Sequence, residues 1–254
     1  TSFMKTHPHV LVLFLLFLTS CGSSDTDPIM MDEATDGNDV PEIYQKIYSA
    51  SDIYLEGDFV IIQVNGVPDH NSPYFDAGDD RNVAYNGTNE NFNLNPNRID
   101  LNANYTYKIP LNPTAASNPR PTQLGSIGVA LNGVSFYNQY AGPDNQPLIG
   151  EIDSFDQYNG HPQRVGEYHY HIEPTYLTQN QGNNVLLGFL LDGFPVYGPF
   201  ENGERVVNSI LDEYHGHEHV TTDYPGGIYH YHITDADPYI NGSGYYGTAG
   251  TVTR

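Results

Sequence analysis

The sequence Tyr-His-Tyr-His occurs twice, at residues 168–171 and 229–232. Successive side chains on a β-strand point to opposite faces, so each copy would place both histidines on one face and both tyrosines on the other. Same-face neighbours lie roughly 6.5–7 Å apart along a strand, which lets two imidazoles converge on one small ion. Neutral imidazole is a common metal ligand at neutral pH. The predicted metal ligands on these strands are His169, His171, His230 and His232.

The surroundings of the two copies are also repeated in the same order. A short apolar run ends in an Asn-Gly or Asp-Gly turn, an Asp-x-x-x-Gly-His segment follows, and Tyr-His-Tyr-His comes last. The offset of about sixty residues is too long for a solenoid repeat, so we interpret it as an internal duplication. The repeats cover residues 125–175 and 185–236. Two β-rich halves related by a pseudo-twofold axis would bring the four strand histidines together.

Three further histidines are candidate ligands. His161 and His217 end the two Asp-x-x-x-Gly-His segments, where glycine permits a turn that aims the imidazole at the strand. His70 follows a predicted strand end, on a loop of the kind that often carries ligands. We expect Asp156 and Asp212 to accept the second N–H of bound imidazoles, and turn capping is the alternative. The tyrosines should support the site from the other face: Tyr168, Tyr170, Tyr229 and Tyr231.

Imidazole-rich sites favour copper or zinc. Cys21 is the only cysteine, and its predicted lipidation leaves no thiol ligand. The Asp-rich segment 76–97 is compatible with a calcium site, although the EF-hand pattern is absent. His215 and His219, which flank His217, are predicted to be exposed. The alternative for the whole histidine set is a structural role, with buried rings bonded to the backbone.

The N-terminal residues predict a bacterial lipoprotein. Residues 10–18 form an unbroken apolar run that is too short to cross a bilayer and typical of a signal peptide. Leu-Thr-Ser-Cys resembles a lipoprotein box, so we predict a signal peptide at residues 1–20 and lipidation of Cys21. Residues 21–45 are acidic and predict a disordered tether. The implied location is the outer membrane or the cell surface of a Gram-negative bacterium.

Residues 46–254 predict a single, mainly β domain. Asn, Asp, Gly, Pro and Tyr are abundant, and no segment shows a sustained helical period with caps. We therefore expect a sandwich or barrel-like pair of sheets with few or no long helices. The formal net charge of −22 argues against nucleic acid as a partner. A metal ion, the lipid-anchoring membrane and a glycan are the partners compatible with this composition.

Several ordered motifs resemble the YHYH-domain family. They include Asn-Gly-Val-Pro-Asp-His at residues 65–70, Leu-Asp-Gly-Phe-Pro-Val-Tyr-Gly-Pro at residues 191–199, and both Tyr-His-Tyr-His segments. The resemblance covers residues 58–247. It implies a secreted or lipid-anchored bacterial protein and assigns no biochemical role.

Three functional classes follow from these residues. The first is a cell-envelope metal-binding protein. The second is an enzyme, either a metal-dependent hydrolase or oxidoreductase, or a polysaccharide-cleaving enzyme with Tyr and His as acid and base. The third is a carbohydrate-binding module, since exposed Tyr and Asn suit sugars. The sequence contains no nucleophile elbow, phosphate loop or dinucleotide fingerprint, and metal binding is the reading that we adopt.

Overall fold

The computed structural model describes residues 39–254. The predicted signal peptide, Cys21 and the tether up to residue 38 lie outside the described residues. Residues 42–45, assigned to the tether from sequence, form a helical turn in which Tyr44 is buried. The fold therefore includes the end of the predicted tether. No helix in the described part of the chain is both long and apolar enough to span a membrane.

The described chain consists mainly of short strands, and its two α-helices are short. Three single turns of 3₁₀-helix lie at Leu148–Gly150, Ile152–Ser154 and Asn208–Ile210. The helices and strands are, in chain order, α1 (Glu42–Gln45), β1 (Asp52–Glu56), β2 (Phe59–Val64), β3 (Tyr105–Pro110), β4 (Ser126–Ala130), β5 (Ser135–Tyr137), β6 (Tyr140–Ala141), β7 (Gln146–Pro147), β8 (Gly160–Pro162), β9 (Tyr168–Tyr170), α2 (Thr175–Gln181), β10 (Leu186–Leu190), β11 (Pro195–Tyr197), β12 (Phe200–Glu201), β13 (Glu204–Arg205), β14 (Gly216–His219), β15 (Ile228–His232) and β16 (Thr251–Thr253).

The smaller of the two main sheets is antiparallel, with strand order β1-β2-β3-β16. Its strand β3 alternates between buried and half-buried side chains, with Tyr105, Tyr107 and Ile109 buried. This period of two is the pattern of a strand that packs one face on a core. The sheet therefore covers one side of the hydrophobic core.

The larger sheet contains eight strands in the order β14-β15-β11-β10-β4-β5-β9-β8. The two halves of this sheet have the same arrangement. In each half, an antiparallel hairpin (β4-β5 or β10-β11) pairs in parallel with the next strand (β9 or β15), which pairs antiparallel with an edge strand (β8 or β14). Strands β4 and β10 form an antiparallel pair at the centre. Both hairpins also carry a register shift at matched positions, next to Gly128 and Gly188. The pseudo-twofold axis thus runs between the two central strands.

The two hairpin turns of the larger sheet lie against the smaller sheet. Gly133 and Gly193 adopt φ of 77° and 86°, a left-handed conformation that glycine adopts without strain. A Cβ on Gly193 would lie 2.6 Å from the carbonyl oxygen of Pro110, at the end of β3. These turns therefore require glycine both for their conformation and for the close approach of the two sheets.

One buried hydrophobic cluster joins both main sheets. Tyr107 of β3 crosses this core, and its hydroxyl lies 2.9 Å from Ser126 Oγ and 2.7 Å from Ser135 Oγ on the opposite sheet. A buried tyrosine needs such a partner for its hydroxyl. The expected mainly β class is confirmed, the layers are arranged as in a sandwich, and no sheet formed by residues 39–254 closes into a barrel.

Candidate metal centres

The first Tyr-His-Tyr-His segment consists of strand β9 and the residue that follows it. The second segment lies within strand β15. All four of their histidines are at most 2% exposed. Strand alternation places the imidazoles on one face of the sheet, and the phenols contact a different set of residues on the other face. A third side chain on the same face could therefore join each pair of imidazoles in binding one ion.

The first centre consists of His161, His169 and His171. His161 lies directly opposite His169, because strands β8 and β9 pair in antiparallel register. The Nε2 atom of His169 lies 3.1 Å from Nε2 of His161 and 3.1 Å from Nε2 of His171. All three side chains are buried. Three ring nitrogens thus meet in one small space.

The opposite ring nitrogens, Nδ1, fix the tautomers at the first centre. Nδ1 of His169 lies 3.0 Å from the carbonyl oxygen of Glu167, and Nδ1 of His171 lies 2.5 Å from that of Asn138. A carbonyl only accepts, so each Nδ1 donates its N–H and leaves a lone pair on Nε2. Nδ1 of His161 lies 2.7 Å from Ser154 Oγ, which donates its own hydroxyl to the carbonyl of Glu151, and 3.4 Å from Nδ2 of Asn95. The Nε2 lone pairs of His169 and His171 therefore point inward, and the short Ser154 contact favours the same tautomer for His161.

Converging lone pairs repel one another unless a proton or a cation lies between them. A tetrahedral zinc ion with Zn–N bonds of 2.0–2.1 Å holds its ligand nitrogens about 3.3 Å apart. The observed separations of 3.1 Å at the first centre are close to that value. The arrangement fits one ion held by three imidazoles.

Burial keeps these imidazoles neutral. It lowers the pKa of His161 to about 3, with a further contribution from the neighbouring His171, and it lowers the pKa of His171 to about 4. Burial and the two neighbouring imidazoles hold the pKa of His169 well below its usual value. Neutral imidazole is the form that binds metal. The first centre is therefore ready for a cation at neutral pH.

The second centre consists of Glu201, His217, His230 and His232. His217 lies opposite His230 in the antiparallel pair of β14 and β15. Nε2 of His230 is 3.0 Å from Nε2 of His232, and Nε2 of His217 is buried without a hydrogen-bond partner. A buried ring nitrogen without a partner is costly unless it has an unobserved ligand.

The second centre repeats the hydrogen bonds of the first. Nδ1 of His230 donates to the carbonyl of Ile228 at 2.9 Å, and Nδ1 of His232 donates to that of Gly198 at 2.9 Å. Burial lowers the pKa of His232 to about 4. Burial raises the pKa of Glu201, but the surrounding imidazoles outweigh that effect and leave it below its ordinary value. Glu201 is therefore ionised at neutral pH and could supply a carboxylate ligand to this centre.

The two centres are separate, and the expectation that four strand histidines would meet in one site is wrong. Strands β9 and β15 stand five strand spacings apart in the larger sheet, which corresponds to roughly 24 Å. The pseudo-twofold axis runs between β4 and β10, so it carries the matched strands away from each other. Each histidine pair instead takes its third imidazole from the adjacent edge strand of its own half.

The expected contacts of Asp156 and Asp212 with imidazoles are absent from the described chain. Tyr168 donates its hydroxyl to Asp156 at 2.8 Å, and Tyr229 donates to Asp212 at 2.9 Å. Both carboxylates also accept backbone N–H groups within their own turns. The aspartates thus cap turns and hold the tyrosine face, while backbone carbonyls orient most of the imidazoles.

The other two tyrosines of the motifs have polar partners as well. The hydroxyl of Tyr170 lies 3.1 Å from Nδ2 of Asn132, and Tyr231 donates to Asp192 at 2.6 Å. Asn132 and Asp192 belong to the two matched Asn-Gly and Asp-Gly turns. The tyrosine face therefore fastens each motif strand to the turns of its own repeat.

His70 belongs to this tyrosine face and lies outside both centres. Its Nε2 lies 3.1 Å from the hydroxyl of Tyr170, and its ring packs against Tyr158 at 4.4 Å and Tyr176 at 5.0 Å. Burial lowers its pKa. His70 fills an aromatic enclosure behind the first centre, where the strand separates it from the converging imidazoles.

The three histidines of β14 and its preceding turn have different surroundings. His217 contributes to the second centre, while His219 is partly exposed, with Nδ1 3.1 Å from Oε1 of Glu201. His215 is buried and lies 3.0 Å from Thr234 Oγ1, so its predicted exposure is wrong. Its φ of 76° turns the ring away from the face used by His217.

The carboxylates near the two centres were not anticipated from the sequence. Glu201 follows Gly198, whose carbonyl holds His232, by only three residues, and that spacing is the only sequence signal for it. Glu151 lies 3.5 Å from Nε2 of His161 and comes from a loop without a repeated motif. Within residues 39–254, potential ligands gather in groups of three or more only at the two centres, and none lies in segment 76–97. There, Asp79 is paired with Arg81 at 2.8 Å.

The comparisons place the chain in a family. The family model described as YHYH protein matches residues 106–209 and 200–243, more than half of the chain, and the matched residues include all the histidines of both centres. Searches of curated proteins and of solved structures found no match. The family match agrees with the resemblance that the motifs indicate. This chain therefore belongs to the YHYH protein family.

Proposed function

We propose that this protein is a metal-binding protein of the bacterial cell envelope with two separate centres, each selective for copper or zinc. The observation that carries the proposal is the convergence of Nε2 atoms whose rings donate Nδ1–H elsewhere. It occurs at the first centre with separations of 3.1 Å and at the second with 3.0 Å. A cation is the partner that accepts several lone pairs at once.

The structural alternative is less compatible with these contacts. A histidine that serves only to fill a core satisfies its ring nitrogens with donors and acceptors of the protein, as His70 does at both nitrogens and His215 does at Nε2. At the two centres the Nε2 atoms face other Nε2 atoms, Nε2 of His217 has no hydrogen-bond partner, and carboxylate oxygens of Glu151 and Glu201 lie 3.4–3.8 Å from the rings. An unsatisfied buried polar group costs about 1–3 kcal/mol, which a bound ion would offset.

The ligand sets favour copper or zinc. Three imidazoles, joined by a carboxylate at the second centre, form the nitrogen-rich environment that these ions prefer. Magnesium and calcium prefer all-oxygen sites. The repeated order of β-strands and loops builds the same three-imidazole arrangement twice, so the proposal predicts two ions per chain.

We extend the proposal to the location of the protein. The apolar run at residues 10–18 and the following Leu-Thr-Ser-Cys support export and lipidation of Cys21, with the acidic segment after it as a spacer. The partner membrane is the outer membrane, and the folded domain would take its ion from the surrounding solution.

Elemental analysis tests the metal proposal. The protein, purified without a histidine tag and equilibrated with zinc or copper, should contain two equivalents of the ion. Replacement of both His169 and His171 by Ala should remove one equivalent, and further replacement of His230 and His232 should remove the second. His215→Asn is the matched control, because the other repeat has Asn159 at this position with a similar positive φ. Two equivalents in the His169→Ala/His171→Ala protein would contradict the proposal.

A further inference from the structure

We propose that the two centres are functionally different: the first keeps an open coordination position for a small neutral donor molecule, and Glu201 closes the second. The inference rests on the proposed function, since it requires an ion at each centre. The donor enters from a cavity beside the first centre and carries an N–H or O–H group of its own. Water is the simplest occupant, and a substrate with a hydroxyl or amine belongs to the same class.

The carboxylate of Glu201 lies close to all three imidazoles of the second centre. Oε1 of Glu201 lies 3.4 Å from Nε2 of His230, 3.5 Å from that of His217 and 3.8 Å from that of His232. It is thus nearly equidistant from these three imidazoles, as the fourth corner of a tetrahedron would be. The same oxygen lies 3.1 Å from Nδ1 of the partly exposed His219. The four ligand atoms lie within 4.8 Å of one another. An ion at this centre has a complete set of protein ligands.

The internal duplication explains why the first centre lacks this carboxylate. Glu201 is the second residue of β12, and the matched strand β6 has Ala141 at its second position. A methyl group cannot coordinate an ion. The nearest acidic residue, Glu151, comes from a separate loop, and its Oε1 contacts only His161, at 3.5 Å. Among residues 39–254, the first centre therefore has three potential protein ligands and no fourth.

A cavity lies next to the first centre. It has a volume of about 240 Å³, and its walls include Tyr137, Tyr140, Glu151, Gln163, His169 and His171. One water occupies about 30 Å³ of the liquid, so several waters or a small organic molecule fit. The cavity reaches two of the three ligand rings directly. A molecule within it therefore lies beside the first centre.

Glu151 gives the open position its chemical preference. Its Oε2 atom is buried and has no hydrogen-bond partner in the described chain. An unpartnered carboxylate oxygen beside the cavity accepts a hydrogen bond from a molecule that binds the ion. The same negative charge disfavours anions. These features select a neutral ligand that has a lone pair for the metal and a proton for Glu151.

Titration of the cobalt(II)-loaded protein with imidazole tests the proposal, because imidazole has both groups. One imidazole should bind for every two cobalt ions, seen as a saturable change in the visible cobalt absorption. The variant His217→Ala/His230→Ala, which keeps the first centre, should respond like the wild type. The variant His161→Ala/His169→Ala should not respond, and adding Glu201→Ala to it should produce a response. The metal content before titration separates the two proposals: a protein that takes up neither zinc, copper nor cobalt would overturn metal binding itself.

A methylated probe tests the role of Glu151. 1-Methylimidazole lacks the N–H, so it should bind the first centre roughly tenfold more weakly than imidazole, the effect of a lost hydrogen bond to a charged group. Glu151→Ala should abolish that difference and leave cobalt binding in place. Imidazole binding to both ions of the wild type, or to neither while cobalt remains bound, would overturn the assignment of an open first centre.

Discussion

At the scale of single residues, the position of one proton on each ring decides what the histidines can do. Nδ1 of His169 and of His230 faces the carbonyl oxygen two residues earlier in the chain. Nδ1 of His171 and of His232 faces a carbonyl of the neighbouring segment. Carbonyl groups of the main chain therefore fix the tautomer and the orientation of all four rings.

One residue, Ala141, accounts for the absence of a carboxylate in the first centre. We predict that Ala141→Glu supplies the missing ligand, raises zinc affinity and removes the imidazole response. Outer-sphere partners alone change metal affinity tenfold to a hundredfold, so a direct ligand should give at least about tenfold. Competition with a chromophoric chelator measures the affinity.

Ala141→Gln is the control for this prediction, because glutamine has a similar size and no charge. It should leave zinc affinity within about threefold of the wild type, since a neutral amide is a weak zinc ligand. If both variants bind zinc as the wild type does, the strand β6 does not present its second residue to the first centre as β12 does.

At the scale of elements, the hairpin turns position the strands that carry the histidines. We predict that Gly193→Ala lowers the free energy of unfolding by about 3 kcal/mol, because a left-handed residue with a Cβ costs about 1–2 kcal/mol and a contact with Pro110 adds strain. Gly125→Ala is the control, because Gly125 has φ of 103° but no atom within 4 Å of the added Cβ. It should cost only about 1–2 kcal/mol.

Urea unfolding curves of the two variants and the wild type measure this difference. Equal midpoints for Gly193→Ala and Gly125→Ala would contradict the argument, since they would attribute the whole effect to backbone conformation. The Gly193 variant should also lose metal from both centres at lower urea than the wild type, because the turn joins the larger sheet to the smaller one.

The strand elements themselves were predictable because their signals are local. Alternation puts Tyr168 and His169 on opposite faces whatever the sheet order is, and the Asp-Gly signal marks the turn at Gly193. The strands that pair with β9 could not be predicted in the same way. Its neighbours β5 and β8 pair with it through hydrogen bonds of the main chain, which leave no side-chain pattern in the sequence.

At the scale of the whole molecule, sheet order decides how many centres exist. The duplication could be recognised in the sequence. A duplication alone, however, is compatible with a pseudo-twofold axis that brings the matched strands together and with one that places them far apart. The central pairing of β4 with β10 selects the second arrangement. Glu201 and Glu151 could not be predicted, because the two-residue strand β12 and the loop that carries Glu151 follow paths that depend on the packing of their own halves.

At this scale we also predict that the free energy of unfolding of the metal-free protein falls as the pH drops from about 6.5 to 4. Burial lowers the pKa of His161 to about 3 and that of His171, His215 and His232 to about 4. Unfolded histidine titrates near 6.5, so between these values the unfolded chain binds more protons than the folded one. Each such histidine contributes a slope of up to about 1.4 kcal/mol per pH unit.

Three carboxyls oppose this trend. Burial raises the pKa of Asp192 to about 6 and also raises the pKa of Asp156 and Glu151, so these groups bind a proton in the folded state first and add stability as the pH falls. They are outnumbered by the seven histidines whose pKa burial lowers, which are His70, His161, His169, His171, His215, His230 and His232. Urea unfolding at pH 7, 6 and 5 in the presence of a chelator measures the net slope, and His215→Asn should reduce it without removing a metal ligand. Added zinc should stabilise the protein most at pH 7 and least at pH 5, because protons and zinc compete for the same Nε2 atoms. A metal-free protein whose stability is the same at pH 7 and pH 5 would show that these imidazoles are not kept neutral by the fold.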